Sequence, residues 1–304
     1  MKNTMIEIKN LSKEYGKFKA VSDASITINQ GDIYGLIGKN GAGKTTIFKM
    51  MLGLSHASSG SISIMNSSND AELRKNRQKI GFFIGSNFFS YLNAHDNIEY
   101  YRRMKGVEDT KETDRVLKIV GLYGEKKPFK SYSMGMKQRL GIANALLGNP
   151  DIVILDEPIN GLDPQGIVEI RQLIKKLNKE MNKTLVISSH ILSELDLVAT
   201  RFAIIDRGII LKELDRADLA NEEGSVVIIK TNNLEKTVTI LKDATQIENI
   251  SIQDDKIIIN QDNINTASLS KYIVESGLEL IEIYAQHNSL EDFYFNLTGG
   301  QNNA

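Results

Sequence analysis

The sequence predicts an α/β fold built on a buried parallel sheet, followed by a smaller α+β domain, and three observations carry that prediction. A glycine-rich loop, Gly38–Thr45, joins a compact apolar run to a helical pattern. Two further apolar runs, Ile152–Leu155 and Thr184–Ser188, are continuous rather than alternating, as strands covered on both faces are. Around 215–225 (DRADLANEEG) the chain turns polar and acidic, which predicts a boundary between domains at 1–215 and 216–304.

Taken in order, Met5–Ile8 and Ser25–Ile28 alternate apolar and polar residues and read as short strands. Asp32–Ile37 is the apolar run that enters the glycine loop. A helix follows from about Lys44, with Ile47, Phe48, Met51, Leu52 and Leu54 assigned to its inner side. Between the two later apolar runs, Gly166–Lys179 repeats Ile167, Ile170, Ile174 and Leu177 at helical spacing. Strands alternating with helices in this way give an α/β architecture. Past the boundary, strand patterns at Ser225–Lys230, Ile257–Ile259 and Leu280–Tyr284 mix with helical ones at about 233–242, 266–276 and 289–297. That segment carries no catalytic motif. The closing residues, GGQNNA, are expected to fray.

Bulk properties exclude several classes. The 304 residues are 41% hydrophobic and 25% charged, ordinary for a globular protein. A net charge of −1 offers no global attraction to nucleic acid, so no nucleic-acid partner is expected. Zero cysteines rule out disulfides and thiolate metal sites. The N-terminus lacks the apolar core of a signal peptide, and no apolar run approaches the roughly 20 residues that span a bilayer. Membrane association therefore has to come through a partner.

Three motifs carry chemistry. The first, GKNGAGKT at Gly38–Thr45, matches the phosphate-binding loop pattern between a strand and a helix. Glycines 38, 41 and 43 let the backbone curl so that N–H groups from Gly38, Lys39, Asn40, Gly41, Ala42 and Gly43 through Thr46 point at phosphate oxygens. The helix N-terminus adds its dipole. Lys44 reaches the β- and γ-phosphates, and Thr45 offers a hydroxyl to Mg²⁺. The second motif, IVILDEP at Ile152–Pro158, ends a buried strand in two carboxylates. Burying Asp156 is costly without a partner, and Mg²⁺ beside Thr45 is one. Glu157 stands where a general base polarises an attacking water. In isolation a helix cap or a surface ion pair is the default reading of an Asp-Glu strand end; beside a phosphate loop the catalytic reading outweighs it.

The third motif decides the family. YSMGMKQRL at Tyr132–Leu140, followed by GIANALLGNP and then IVILDEP, resembles the signature of ABC-type ATPases, whose usual form is LSGGQ. Ser133 and Gly135 stand at the serine and second glycine, Met134 and Met136 at the first glycine and the glutamine. The remaining positions follow in order. Tyr15 resembles the aromatic that stacks on adenine. NGLDP at Asn160–Pro164 resembles the D-loop, with Asp163 crossing to a second subunit. His190 resembles the switch histidine that contacts the γ-phosphate. The resemblance covers residues 3–215 and implies a P-loop NTPase cassette with a RecA-like core, an antiparallel β subdomain and a helical subdomain. It also implies ATP and Mg²⁺ as ligands, and a homodimer in which Ser133 and Gly135 of one copy close over the ATP of the other. The signature variant and SLEDFYFNLTG at 289–299 resemble bacitracin- and lantibiotic-type exporters. That implies work on a separate permease at the cytoplasmic face of a bacterial membrane. A non-transport ABC protein and a weakly hydrolysing regulatory subunit are the competing readings.

Two positions depart from the family pattern. Gly85 stands where a glutamine normally touches Mg²⁺ and the attacking water. A water takes its place, Ser86 or Asn87 reaches in, or coupling to the membrane subunit loosens. Ile159 replaces the usual threonine. The permease is expected to dock around Phe82–Tyr101, which holds seven aromatics in twenty residues against 7% over the chain.

Overall fold

The computed structural model describes residues 3–85, 88–216, 226–244, 247, 249–261, 264–286 and 290–298. The chain divides into two compact units, Met1–Asp215 and Arg216–Ala304.

In the first unit, β1 (Thr4–Tyr15) and β2 (Phe18–Asn29) form a long hairpin, each far longer than its alternating core suggested. The hairpin continues to Tyr15↔Phe18, where Gly16 turns the chain with φ +59°. With β4 (Ser59–Ile64) they make an antiparallel sheet in the order β2-β1-β4. A second, six-stranded sheet runs β5-β6-β7-β3-β8-β9. Its strands are β3 (Ile33–Ile37), β5 (Ile80–Phe83), β6 (Ile152–Asp156), β7 (Thr184–Ser189), β8 (Arg201–Asp206) and β9 (Ile209–Asp215). All pairs are parallel except β8–β9. Every residue of β3 and β7 is buried, as their unbroken apolar runs require.

The helices are α1 (Lys44–Met51), α2 (Asp70–Arg77), α3 (Ala94–Met104), α4 (Glu112–Ile119), α5 (Met134–Leu146), α6 (Pro164–Lys179) and α7 (Leu192–Asp196). The inner side expected for α1 loses Leu54, which is 59% exposed. Gly53, at φ +72°, ends the helix, and the Leu54 amide folds back onto the Lys49 carbonyl at 2.8 Å.

The second unit runs β10 (Val226–Thr231), α8 (Leu234–Ala244), β11 (Ile250–Gln253), β12 (Lys256–Asn260), α9 (Thr266–Glu275), β13 (Leu280–Gln286) and α10 (Leu290–Leu297). Its sheet order, β11-β12-β10-β13 with all pairs antiparallel, is a split βαβ arrangement. Alternate residues Val227, Ile229, Ile257 and Ile259 pack with Leu241, Leu269 and Ile273 into one core.

Candidate functional site

Three parallel strands end side by side. β7 pairs with β3 on one side and β6 on the other, with Ile37 opposite Ser189 and Asp156 opposite Ser188. The carboxyl ends of such strands are where open α/β sheets bind ligands. The loop leaving β3 needs glycine at two points. A Cβ on Gly38 would lie 2.4 Å from the Ile205 carbonyl oxygen. Gly43 takes φ +109°, and a Cβ there would lie 2.7 Å from the Ala20 oxygen.

Lys44 opens α1 with its ammonium buried, donating to the Gly38 carbonyl at 2.5 Å and the Lys39 carbonyl at 3.2 Å. Its Nζ also stands 3.0 Å from Glu157 Oε1, an ion contact outside hydrogen-bond geometry. Thr45 donates its hydroxyl to Asp156 Oδ2 at 2.6 Å. Glu157 accepts at Oε2 from His190 Nδ1 at 2.8 Å. A carboxylate only accepts, so Nδ1 carries the proton and Nε2 remains for another partner. Lys44, Thr45, Asp156, Glu157 and His190 therefore form one continuous array.

One member escaped sequence reasoning. Ser188, fully buried, donates to Asp156 Oδ1 at 2.6 Å and accepts from the Glu157 amide at 2.8 Å. Glu157 has φ +51°, a left-handed conformation that costs a non-glycine residue roughly 1–2 kcal/mol. The Ser188 hydroxyl holds that strained backbone and the neighbouring carboxylate at once. The signal available beforehand was a pair of serines closing an otherwise apolar strand, opposite a strand that ends in acid.

The donors beside the loop are hard oxygens, one hydroxyl and one carboxylate. Among the described residues no cluster of three or more His, Cys, Asp or Glu could hold a metal by itself. That set fits Mg²⁺, which keeps several waters and draws further oxygens from a bound phosphate, better than a cation caged by protein alone.

The other expected residues lie apart from this array. Ser133 caps α5, accepting from the Met136 amide at 3.2 Å. Asp163 caps α6, accepting from the Gly166 amide at 2.9 Å. Gly135 approaches Leu162, and Met134 approaches Gly161, so signature and D-loop segments pack together. Among the described residues no hydrogen bond joins Ser133, Gly135 or Asp163 to the loop at 38–45. Tyr15 is half exposed at the hairpin end, with Lys13 Nζ 4.9 Å from its ring centre. Gly85 takes φ +70° with open space where a Cβ would stand; Ser86 and Asn87 lie outside the described residues. In the aromatic segment, Phe83 packs under Gly141, Phe88 and Tyr101 join Phe129 in a ring cluster, and Phe82, Tyr91 and Tyr100 remain exposed.

The ABC transporter family matches residues 21–160. The bacitracin transport ATP-binding protein BcrA of Bacillus licheniformis is 39% identical across 98% of both chains. The chain belongs to the ABC transporter ATP-binding family. The lantibiotic transport ATP-binding protein SrtF of Streptococcus pyogenes is 41% identical, over 72% of this chain and 95% of its own. Among solved structures, cbiO1 from Clostridium perfringens, part of an ABC transporter complex, superposes with TM-score 0.64 at 25% identity, covering 72% and 92% of the two chains. The cassette MJ0796, solved as a dimer bound to ADP and phosphate, gives 0.61 at 28% identity, over 70% and 99%. The α/β architecture is thus the ABC cassette fold, and this ABC protein is an ATPase. The array at the ends of β3, β6 and β7 is the part of it suited to that reaction.

Proposed function

We propose that the chain is the ATP-hydrolysing subunit of a peptide-antibiotic exporter, acting as a pair of copies on a separate membrane permease. The observation that carries the hydrolytic part is the convergence of Lys44, Thr45, Asp156, Glu157 and His190 on one strand-end cluster. Amides of the 38–45 turn and the Lys44 ammonium grip the triphosphate. Thr45 and Asp156 hold Mg²⁺, which when bound offsets phosphate charge. Glu157 takes the proton of the attacking water, with its carboxylate oriented by His190 and its backbone by Ser188. Tyr15 stacks on the adenine. Ser133 and Gly135 from the second copy cover the nucleotide at the α5 N-terminus, with Asp163 reaching across. Loss of the γ-phosphate contacts to Ser133 and His190 after hydrolysis opens the pair.

The similarity to BcrA over nearly the whole chain supports the export reading above a non-transport one, and SrtF supports a peptide cargo. Among the described residues no helix is long and apolar enough to cross a membrane. We place the chain peripherally at the cytoplasmic face, docked through the exposed aromatics of Phe82–Tyr101. Residues 216–304 are read as an accessory domain.

The test is to express the chain with its genomically adjacent permease in a bacitracin-sensitive bacterium. Tolerance to a peptide antibiotic should rise, and Lys44→Ala should abolish the gain. Co-purification with ribosomes instead of the permease would overturn the export reading. The pairing is tested by light scattering: Glu157→Gln with saturating ATP should run as a dimer.

A further inference from the structure

We propose that the cleft between β4 and α2 is a binding site for a small organic anion carrying a phosphate or carboxylate head. The cleft encloses about 520 Å³, within the size range of small-molecule sites. Leu11, Met50 and Leu73 supply an apolar floor, and Arg74, Arg77 and His56 line its polar side.

Arg74 and Arg77 lie one turn apart on α2, so both guanidinium groups face the same side. Arg77 is half-buried. Its Nε donates to the Met51 carbonyl at 3.0 Å, and its head lies across Gly53, where a Cβ would meet Nη1 at 2.8 Å. The remaining N–H groups of that head are left for the cleft.

The first unit treats its other arginines differently. Arg102 pairs with Glu99 at 2.7 Å, Arg115 with Glu112 at 2.5 Å, Arg171 with Glu194 at 2.6 Å, and Arg201 with Asp215. Among the described residues neither Arg74 nor Arg77 makes such an ion pair. Asp70 lines the same cleft and attracts Arg77, yet burial still pulls that guanidinium below its ordinary pKa. A planar fork of donors, partly desolvated and with no carboxylate at ion-pair distance, is matched by the oxygens of an anionic head. The apolar floor then takes the organic remainder.

Histidine-selective NMR separates this cleft from the phosphate loop, because the sequence holds only four histidines and His56 and His190 mark the two sites. ¹⁵N-histidine-labelled protein saturated with Mg-ADP is titrated with glycerol 2-phosphate or with succinate. The His56 imidazole signal should move saturably in at least one titration, the responsive probe identifying the head group, while His190 stays fixed. Arg74→Glu, a change on an exposed helix position, should weaken the response tenfold or more, and Arg74→Gln by less. No saturable movement with either probe overturns the proposal. So does movement of His190 in place of His56, or an undiminished response in Arg74→Glu.

Discussion

Two glutamates in the first unit show how differently one residue type is used. Glu99, on α3, is saturated. It accepts from Arg102 through Nε and Nη2, both at 2.7 Å, from Arg103 at 2.7 Å and from Thr113 at 3.0 Å. Each partner belongs to the α3–α4 region, and the cluster fastens those helices. Glu157, at the end of β6, has an ammonium on one oxygen and an imidazole on the other, and its own backbone is strained. Every group around it is also one that a triphosphate or an attacking water can claim. A glutamate whose partners are all spoken for stabilises the fold. One whose partners are displaceable is poised for chemistry, and the strain is a cost the fold bears to hold it there.

The largest break between the two should come from the same conservative change made at each. Glu157→Gln keeps the shape and removes the proposed base, so hydrolysis should slow by about 10²–10⁴-fold while nucleotide binding persists. Phosphate release and equilibrium binding of a fluorescent ATP analogue measure the two halves. Full turnover in Glu157→Gln would make this residue another Glu99.

Ser188 sharpens the contrast at smaller amplitude. Ser188→Ala leaves the Glu157 amide and Asp156 Oδ1 each short of a buried partner, at a cost of roughly 1–3 kcal/mol. Thermal denaturation should register that loss. Turnover should fall with it, because the strained φ at Glu157 is then held by one contact fewer. Ser188→Thr, which keeps the hydroxyl, should recover most of the turnover. Unchanged hydrolysis with lowered stability would confine Ser188 to packing.

Why Ser188 was invisible while Lys44 was not is a matter of where the information sits. The phosphate loop is local: spacing, glycines and flanking strand and helix all lie within a few residues. The continuous runs of β6 and β7 announced buried parallel strands for the same reason. Ser188 acts through lateral register, opposite Asp156 on a strand some thirty residues away in sequence, and no periodicity encodes that. The positive φ of Glu157 is likewise set by its neighbours in space. Leu54 departs from its expected inner position because apolar spacing continues past Gly53 although the helix does not. β11, only four residues long, is too short for alternation to speak. Tyr15, Ser133 and Asp163 were legible as family positions, while the joint use proposed for them depends on a nucleotide and a second copy.

The smallest expected effect is at Glu99 and concerns acid stability. The hydrogen bonds from Arg102, opposed by burial and reinforced by those from Arg103 and Thr113, hold its carboxyl well below the usual glutamate range. A depressed folded-state pKa means that the unfolded chain takes up the proton first. The stabilisation is therefore complete above the ordinary glutamate value of about 4.3 and drains away as pH falls from there towards the folded value. Melting temperature measured from pH 7 down to pH 3 should drop more steeply for the native chain than for Glu99→Gln, with the two curves converging in acid. At pH 7 Glu99→Gln should melt lower yet hydrolyse ATP at the native rate. If its acid limb proves as steep as that of the native chain, Glu99 is not the group being titrated. If hydrolysis falls along with stability, the helical cluster and the strand-end site are energetically one region, and the distinction between a saturated and a displaceable glutamate fails.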